Sequence, residues 1–226
     1  MLMKGLRVSI ARRSLLAVLA LGLPLLAAAP ALAAKAKPWP LTPQDKADIA
    51  RIETYFDGLK TLSAKFLQVT DAGAISRGAL YIQRPGRMRF DYAPPSPVVM
   101  IADGTLLIYH DRELVETTTL PLSTTPVAFL LREKFRLSQD ITVTRIDRGP
   151  GVLRVSVRET DDADQGELTL QFSDAPFRLE QWSVLDSQSR QTKVTLIDTR
   201  LGDPIDPKIF DFRDPKFFNQ PVERFN

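Results

Sequence analysis

The sequence predicts a mainly β fold: an incomplete, open antiparallel β-barrel of about eleven strands, closed by an N-terminal amphipathic helix and a short inserted lid helix. Three observations carry this. From Leu62 onward apolar and polar residues alternate with a period of two. Turn signals separate these runs at intervals too short for parallel crossovers. Helical spacing is confined to the stretch before Lys60 and to a greasy segment at 125–133.

Residues 1–33 read as an export signal and stand apart from the fold. Lys4, Arg7, Arg12 and Arg13 form a basic start, Ser14 to Leu26 an apolar run, and Ala31-Leu32-Ala33 a small-x-small cleavage pattern near Ala33. The apolar run is short for an uncleaved membrane anchor. Arg12-Arg13 suits either the twin-arginine or the general secretory route, and the latter is favoured because paired arginines are common there. The remainder, 34–226, reads as a single domain.

The signal holds four cations and no acid, so a whole-chain charge of +3 becomes −1 for the exported part. That removes the support for nucleic acid as a partner, which needs clustered cations on the folded surface. The chain has no cysteine. Disulfides, thiol nucleophiles, cysteine metal sites and a lipid anchor at the cleavage point are thereby excluded, and burial must hold the fold.

Thr42 caps the predicted first helix, with Pro43 at its first position. Ile49, Ile52, Phe56 and Leu59 then fall on one face at spacings of three and four, and Gly58 weakens the end near Lys60. Strands follow at Leu62–Phe66, Leu80–Gln83 and Arg87–Tyr92, where Met88, Phe90 and Tyr92 alternate with Arg87, Arg89 and Asp91. Others are expected at 98–102, 105–110, 113–119, 141–147, 153–157, 168–172, 178–186 and 192–199, with a short one near 209–212. Asp103-Gly104 and Gly149-Pro150-Gly151 read as turns, and Asp161 to Gly166 as a polar loop. Thr125-Pro126 starts a short helix inserted into an otherwise continuous meander. A sheet of this kind curls, and it either fills its interior with side chains or leaves a cavity.

Little in the chain suggests catalysis. His110, the only histidine, ends a strand beside Asp111 and has no identifiable nucleophile or metal partner. Asp161, Asp162 and Asp164 lack the glycine and terminal glutamate of a calcium loop. No glycine-rich phosphate loop occurs. We expect no enzyme, no metal and no cofactor. Arg84 shares parity with Leu80 and Ile82 and could point inward, where its fork of donors would need backbone carbonyls from a covering helix. The alternative is an exposed sheet-edge arginine like Arg87 and Arg89.

The ordered motifs LSAKFLQV with Phe66 and Gln68, Gly78-Ala79-Leu80, Arg84-Pro85, Met88 and Phe90, Tyr92 with Pro94 or Pro95, VVMIADGTLLIYHDRELVE and Thr125-Pro126 make the chain resemble the periplasmic outer-membrane lipoprotein carrier family, LolA. After Asp140 the match is mainly a strand pattern. The resemblance implies an apolar cavity for acyl chains, lidded by residues 125–133. It also implies that Arg84, followed by Pro85, latches the lid through its backbone carbonyls. Phe66, Met88, Phe90, Met100, Phe129, Leu130 and Leu131 are the candidate cavity and lid residues. Met88 stands where the best-known members carry an aromatic, and the tail Pro215 to Asn226 also departs from them. The implied partners are triacylated lipoproteins, an inner-membrane lipoprotein-releasing ABC transporter and an outer-membrane lipoprotein receptor, with the protein a periplasmic monomer. The alternative on the same fold is an envelope lipid-binding or stress-sensing module.

Overall fold

The structure, a computed structural model, describes residues 35–138 and 140–212. The expected signal (1–33) and the tail from Pro215 lie outside them. Helix α1 (Pro43–Gly58) begins with a reciprocal capping box: the Asp45 amide donates to the Thr42 hydroxyl at 3.2 Å, and the Thr42 amide to the Asp45 carboxylate at 2.8 Å. Its stripe of Ile52, Phe56 and Leu59 is buried, with Ile49 at the margin.

Eleven strands follow: β1 (Thr61–Thr70), β2 (Ile75–Gln83), β3 (Arg87–Tyr92), β4 (Val98–Asp103), β5 (Leu106–Asp111), β6 (Glu116–Pro121), β7 (Ile141–Gly149), β8 (Val152–Glu159), β9 (Gly166–Asp174), β10 (Phe177–Asp186) and β11 (Gln191–Leu201). They form one open antiparallel sheet in the order β6-β5-β4-β3-β2-β1-β11-β10-β9-β8-β7. The continuous meander expected from sequence is therefore broken once. β1 pairs with β11, which sends β6 and β7 to opposite edges, and the stretch between them must cross from one edge to the other. That crossing carries α2 (Ala128–Leu131) and buries Leu122, Phe129, Leu130, Leu131, Phe135 and Leu137.

Curvature can be read from one contact. The Phe90 ring on β3 meets Trp182 on β10, with centroids 6.2 Å apart, although three strands lie between them. On a flat sheet those strands would stand about 19 Å apart. The alternating inward residues of both halves join α1 and α2 in a single apolar cluster.

Three local expectations are corrected. The helix expected over 125–133 is one turn, Ala128–Leu131, because the Thr125 hydroxyl donates to the Leu122 carbonyl at 2.7 Å instead of capping, and Arg132 is already extended. The strand expected from 113 starts at Glu116, since the Asp111 carboxylate accepts from the amides of Glu113 and Leu114, both at 2.9 Å, and folds a hairpin loop there. In place of a strand near 209–212 there is a 3₁₀ turn, Pro207–Phe210. Asp206 caps it by accepting from the Lys208 amide at 3.0 Å, and Pro207 takes the first position.

Gly78 faces Tyr92 across the β2–β3 pair. A Cβ there would overlap the Asp91 carbonyl oxygen and sit 2.9 Å from Cε1 of Phe66. Gly78→Ala is expected to cost about 1–3 kcal/mol by overpacking, visible as a lower urea midpoint at unchanged slope. An unaltered midpoint would mean that β2 and β3 separate there without cost.

Candidate functional site

Arg84 follows β2 with the parity of Leu80 and Ile82, and its amide donates to the Lys60 carbonyl at 2.8 Å, extending the β1–β2 ladder. This directs the side chain to the concave face, where it is 8% exposed, rather than to the edge position of an ordinary surface arginine. Nη1 donates to the Phe56 carbonyl and, at 3.3 Å, to that of Leu59; Nη2 donates to the Arg132 carbonyl. One guanidinium thus holds the carboxyl end of α1 and the residue that ends α2. The last turn of α1 has no basic residue of its own, so Arg84 supplies the cation that its carbonyl dipoles favour. Burial pushes the guanidinium pKa down, and Asp57 partly opposes this.

Pro85 and Gly86 complete the turn. The Gly86 amide donates to the Leu131 carbonyl at 2.8 Å, a second tie from the same turn to α2. Gly86 has φ of 80° and lies against Gly104, so a side chain is disfavoured there by conformation and by space.

The candidate apolar residues meet on this concave face. Phe66 packs edge-to-face on Phe90, centroids 4.9 Å apart, and on Tyr92 at 5.1 Å. Tyr92 donates to Gln68 at 2.8 Å, and burial pushes its pKa up to about 12. Met88, Phe129, Leu130 and Leu131 are buried in the same cluster, while Met100 packs half-buried at its margin. Phe56 stacks on Phe135 with centroids 4.0 Å apart, joining α1 to the crossing segment. Among the described residues, the inward side chains of the concave face form one packed apolar cluster, the filled one of the two outcomes left open by the sequence. Clefts of about 550 and 690 Å³ lie instead on the convex face, lined in part by Arg87, Arg89, Asp91 and Asp103.

Several residues that matter escaped the sequence reading. Arg89, expected to be exposed, is 2% exposed on the convex face. It pairs with both Asp91 oxygens at 2.8 Å and donates to the Ile209 carbonyl at 2.7 Å, pinning the 207–210 turn. His110, next to the last residue of β5 as expected, is buried and not solvated, with Nδ1 2.9 Å from the Thr117 hydroxyl; burial and nearby Arg112 push its pKa down. Arg136 pairs both nitrogens with Asp57 at 2.9 and 3.0 Å, and the Leu137 amide donates to Glu53 at 2.9 Å. The Glu53–Asp57 spacing on one helix turn was the available signal. At the other end of α1, Arg148 of β7 bonds the buried carboxylates of Asp45 and Asp48 at 2.5–2.8 Å.

Residues 57–213 match the family model described as outer membrane lipoprotein carrier protein LolA. Among similar chains, an outer-membrane lipoprotein carrier protein of Methylococcus capsulatus is 27% identical over 175 residues, covering 74% of this chain and 83% of that one. A second, of Alkalilimnicola ehrlichii, is 29% identical over 181 residues, covering 76% and 80%. An uncharacterized protein of Rickettsia prowazekii is 22% identical over 177 residues, covering 76% and 80%. A solved LolA superfamily protein from Nitrosomonas europaea is 11% identical with a TM-score of 0.40, covering 72% of this chain and 97% of that one. The family model spans well over half of the sequence, and the chain belongs to the outer membrane lipoprotein carrier family, LolA.

Proposed function

We propose that this chain is a periplasmic carrier that receives the acyl chains of lipoproteins on its concave face and delivers them to the outer membrane. The carrying observation is the Arg84 fork, which ties both covering helices to the sheet through backbone carbonyls alone. A carrier must present apolar surface to cargo yet hide it when empty, because each methylene left in water costs about 0.8 kcal/mol. On this reading the packed interior is the empty, closed state. Met88 and the lid residues Phe129, Leu130 and Leu131 repack around cargo chains, and Arg84 with Pro85 and Gly86 re-forms the closed lid afterwards. Met88 suits an adaptable surface, being flexible and apolar.

The export signal is cleaved near Ala33, and 34–226 acts as a single monomeric domain. In support, Ala36 and Trp39 donate their amides to the Thr160 and Val143 carbonyls at 3.1 and 2.8 Å, so packed structure starts directly after that site. An inner-membrane ABC transporter loads the carrier and an outer-membrane receptor unloads it.

The test is recovery of the protein from the periplasm followed by mass spectrometry of what travels with it. Triacylated protein in the complex is the expected result. Phospholipid alone, or no lipid when a releasing transporter is active, would overturn the reading.

A further inference from the structure

The two edges of the open sheet are built differently. At β7 the Trp39 amide occupies the outward Val143 carbonyl at 2.8 Å, a bulge interrupts the ladder between Val143 and Arg145, and Arg145 stands exposed on the strand. Each device discourages a further strand from adding. Among the described residues β6 has neither a covering amide nor a bulge, and its one charge and its proline stand at its two ends, Glu116 and Pro121, leaving Thr117–Leu120 between them. Its ladder with β5 runs without a register shift, it carries no Lys or Arg, and three successive threonines favour extended backbone. Among the described residues only β5 pairs with it.

The phase of that ladder identifies the groups on offer. The Leu122 amide donates to the Thr105 carbonyl at 2.9 Å, one step beyond the Leu106–Pro121 pair. Since bonded and non-bonded pairs alternate, Leu120 and Thr118 face β5, while Thr117, Thr119 and Pro121 turn their backbone outward. Proline, with no N–H to give, falls in the outward set as this phase requires. Pro121 already has its carbonyl taken by the Thr124 hydroxyl at 2.8 Å. Thr117 and Thr119 remain, presenting their amides and carbonyls at the spacing of an incoming antiparallel strand.

We propose that this β6 edge receives, as an added strand, the extended polypeptide segment that follows the acylated residue of the cargo. The proposal rests on the carrier reading above. If acyl chains enter beneath α2, the attached peptide has to leave past the lid. β6 runs into the lid through the single 3₁₀ turn Leu122–Thr124 and the short Thr125–Val127 link. The covalent attachment holds that peptide at an effective concentration in roughly the millimolar range, enough for a few backbone bonds to form. An extended segment brings its own unpaired backbone, whereas a folded partner would have to open an edge. Leu120 packs against the core cluster from β6, so alternate side chains of an added strand would lengthen the concave apolar face. Backbone pairing of this kind reads no side chains and would tolerate cargoes of different sequence.

Amide hydrogen exchange on the mature chain tests this with two probes, a triacylated dipeptide and the same acyl group on a polar peptide of about ten residues, enough for an ordinary strand. The long probe is expected to slow exchange at Thr117 and Thr119 by at least about tenfold, the short one to leave it unchanged. Thr119→Pro removes an outward amide without touching the β5 ladder, and should bring the long probe's affinity down to that of the short one. If both probes bind equally and Thr117 and Thr119 exchange as in the free protein, the edge proposal fails and the carrier reading stands. If neither probe binds, the carrier reading itself fails. Should Thr119→Pro misfold, the exchange pattern of the unaltered protein decides alone.

Discussion

Arg84→Leu is expected to load acylated protein normally and to deliver it about ten- to a hundredfold more slowly. The guanidinium accepts no competition from water while the lid is shut, being 8% exposed and committed to three carbonyls. A charge-assisted bond of this kind contributes about 1.5–3 kcal/mol, and losing the net equivalent of one shifts an equilibrium by roughly ten- to a hundredfold. Leucine fills part of the space but donates nothing. The Phe56 carbonyl keeps its bond from the Leu59 amide at 3.1 Å, whereas Leu59 and Arg132 carbonyls lose this donor. The cost therefore falls on the tie that holds the carboxyl end of α1 and the end of α2 to the sheet, while the last bond of α1 itself is kept. Because cargo competes with closure, its affinity rises by the factor the closed state loses. Arg84→Lys should fall between, since an ammonium can reach one carbonyl but lacks the planar fork. Transfer of a labelled lipoprotein to acceptor outer-membrane vesicles, with loading followed separately by gel filtration, resolves the two steps. A well-folded leucine variant that delivers at the unaltered rate would sink the latch.

The residues that were legible in sequence are those whose role follows from local period or local chemistry. The stripe Ile52, Phe56 and Leu59, the alternation around Phe90 and the Thr42-Pro43 start each report a neighbour a few residues away. Arg84 could be placed inward by parity, but its acceptors are 25, 28 and 48 residues distant, so its partners had no local signature. Arg89 fails for a different reason. Parity put it correctly on the convex face, but that face is covered there by Phe210 and the 207–210 turn, and periodicity carries no information about what covers a second face. The Asp206-Pro207 pair, a capping residue followed by a proline at the first position, is the local signal for the turn that stands there. The edge-to-edge crossing was hidden most completely. Short connections suggest that neighbours in sequence pair, and nothing local reveals that β1 finds β11 instead of leaving β6 next to β7.

Arg148→Met should lower stability by about 2–3 kcal/mol, the larger of the two expected losses in folding energy. Removing one partner from a buried pair costs about 3–5 kcal/mol, and the figure is reduced here because the Arg148 side chain is 39% exposed and water can partly replace it. The carboxylates left behind are 3% exposed. The Asp45 carboxyl is held at about 2, first by the Thr42 amide and then, against the opposing effect of burial, by Arg148 and the Thr42 hydroxyl. A pKa depressed on folding gives stability that is complete above the ordinary carboxylate value near 3.8 and is lost as pH falls toward 2. Without Arg148 that pKa rises toward the unfolded value, so the acid limb of the variant should be smaller and should end at a higher pH than that of the unaltered protein, starting from the same value near 3.8. The capping box keeps its Thr42 bonds, so part of the depression should survive. Urea midpoints between pH 2 and pH 7, about the span of this limb and its plateau, measure both effects together. Parallel acid limbs displaced only vertically would mean that Arg148 acts through packing of its stem and not through its charge. In that case the amino end of α1 would owe its place on β7 to burial of Ile52 and its neighbours, and the polar ties of that helix would lie mainly toward its carboxyl end, at Glu53, Asp57 and the carbonyls held by Arg84.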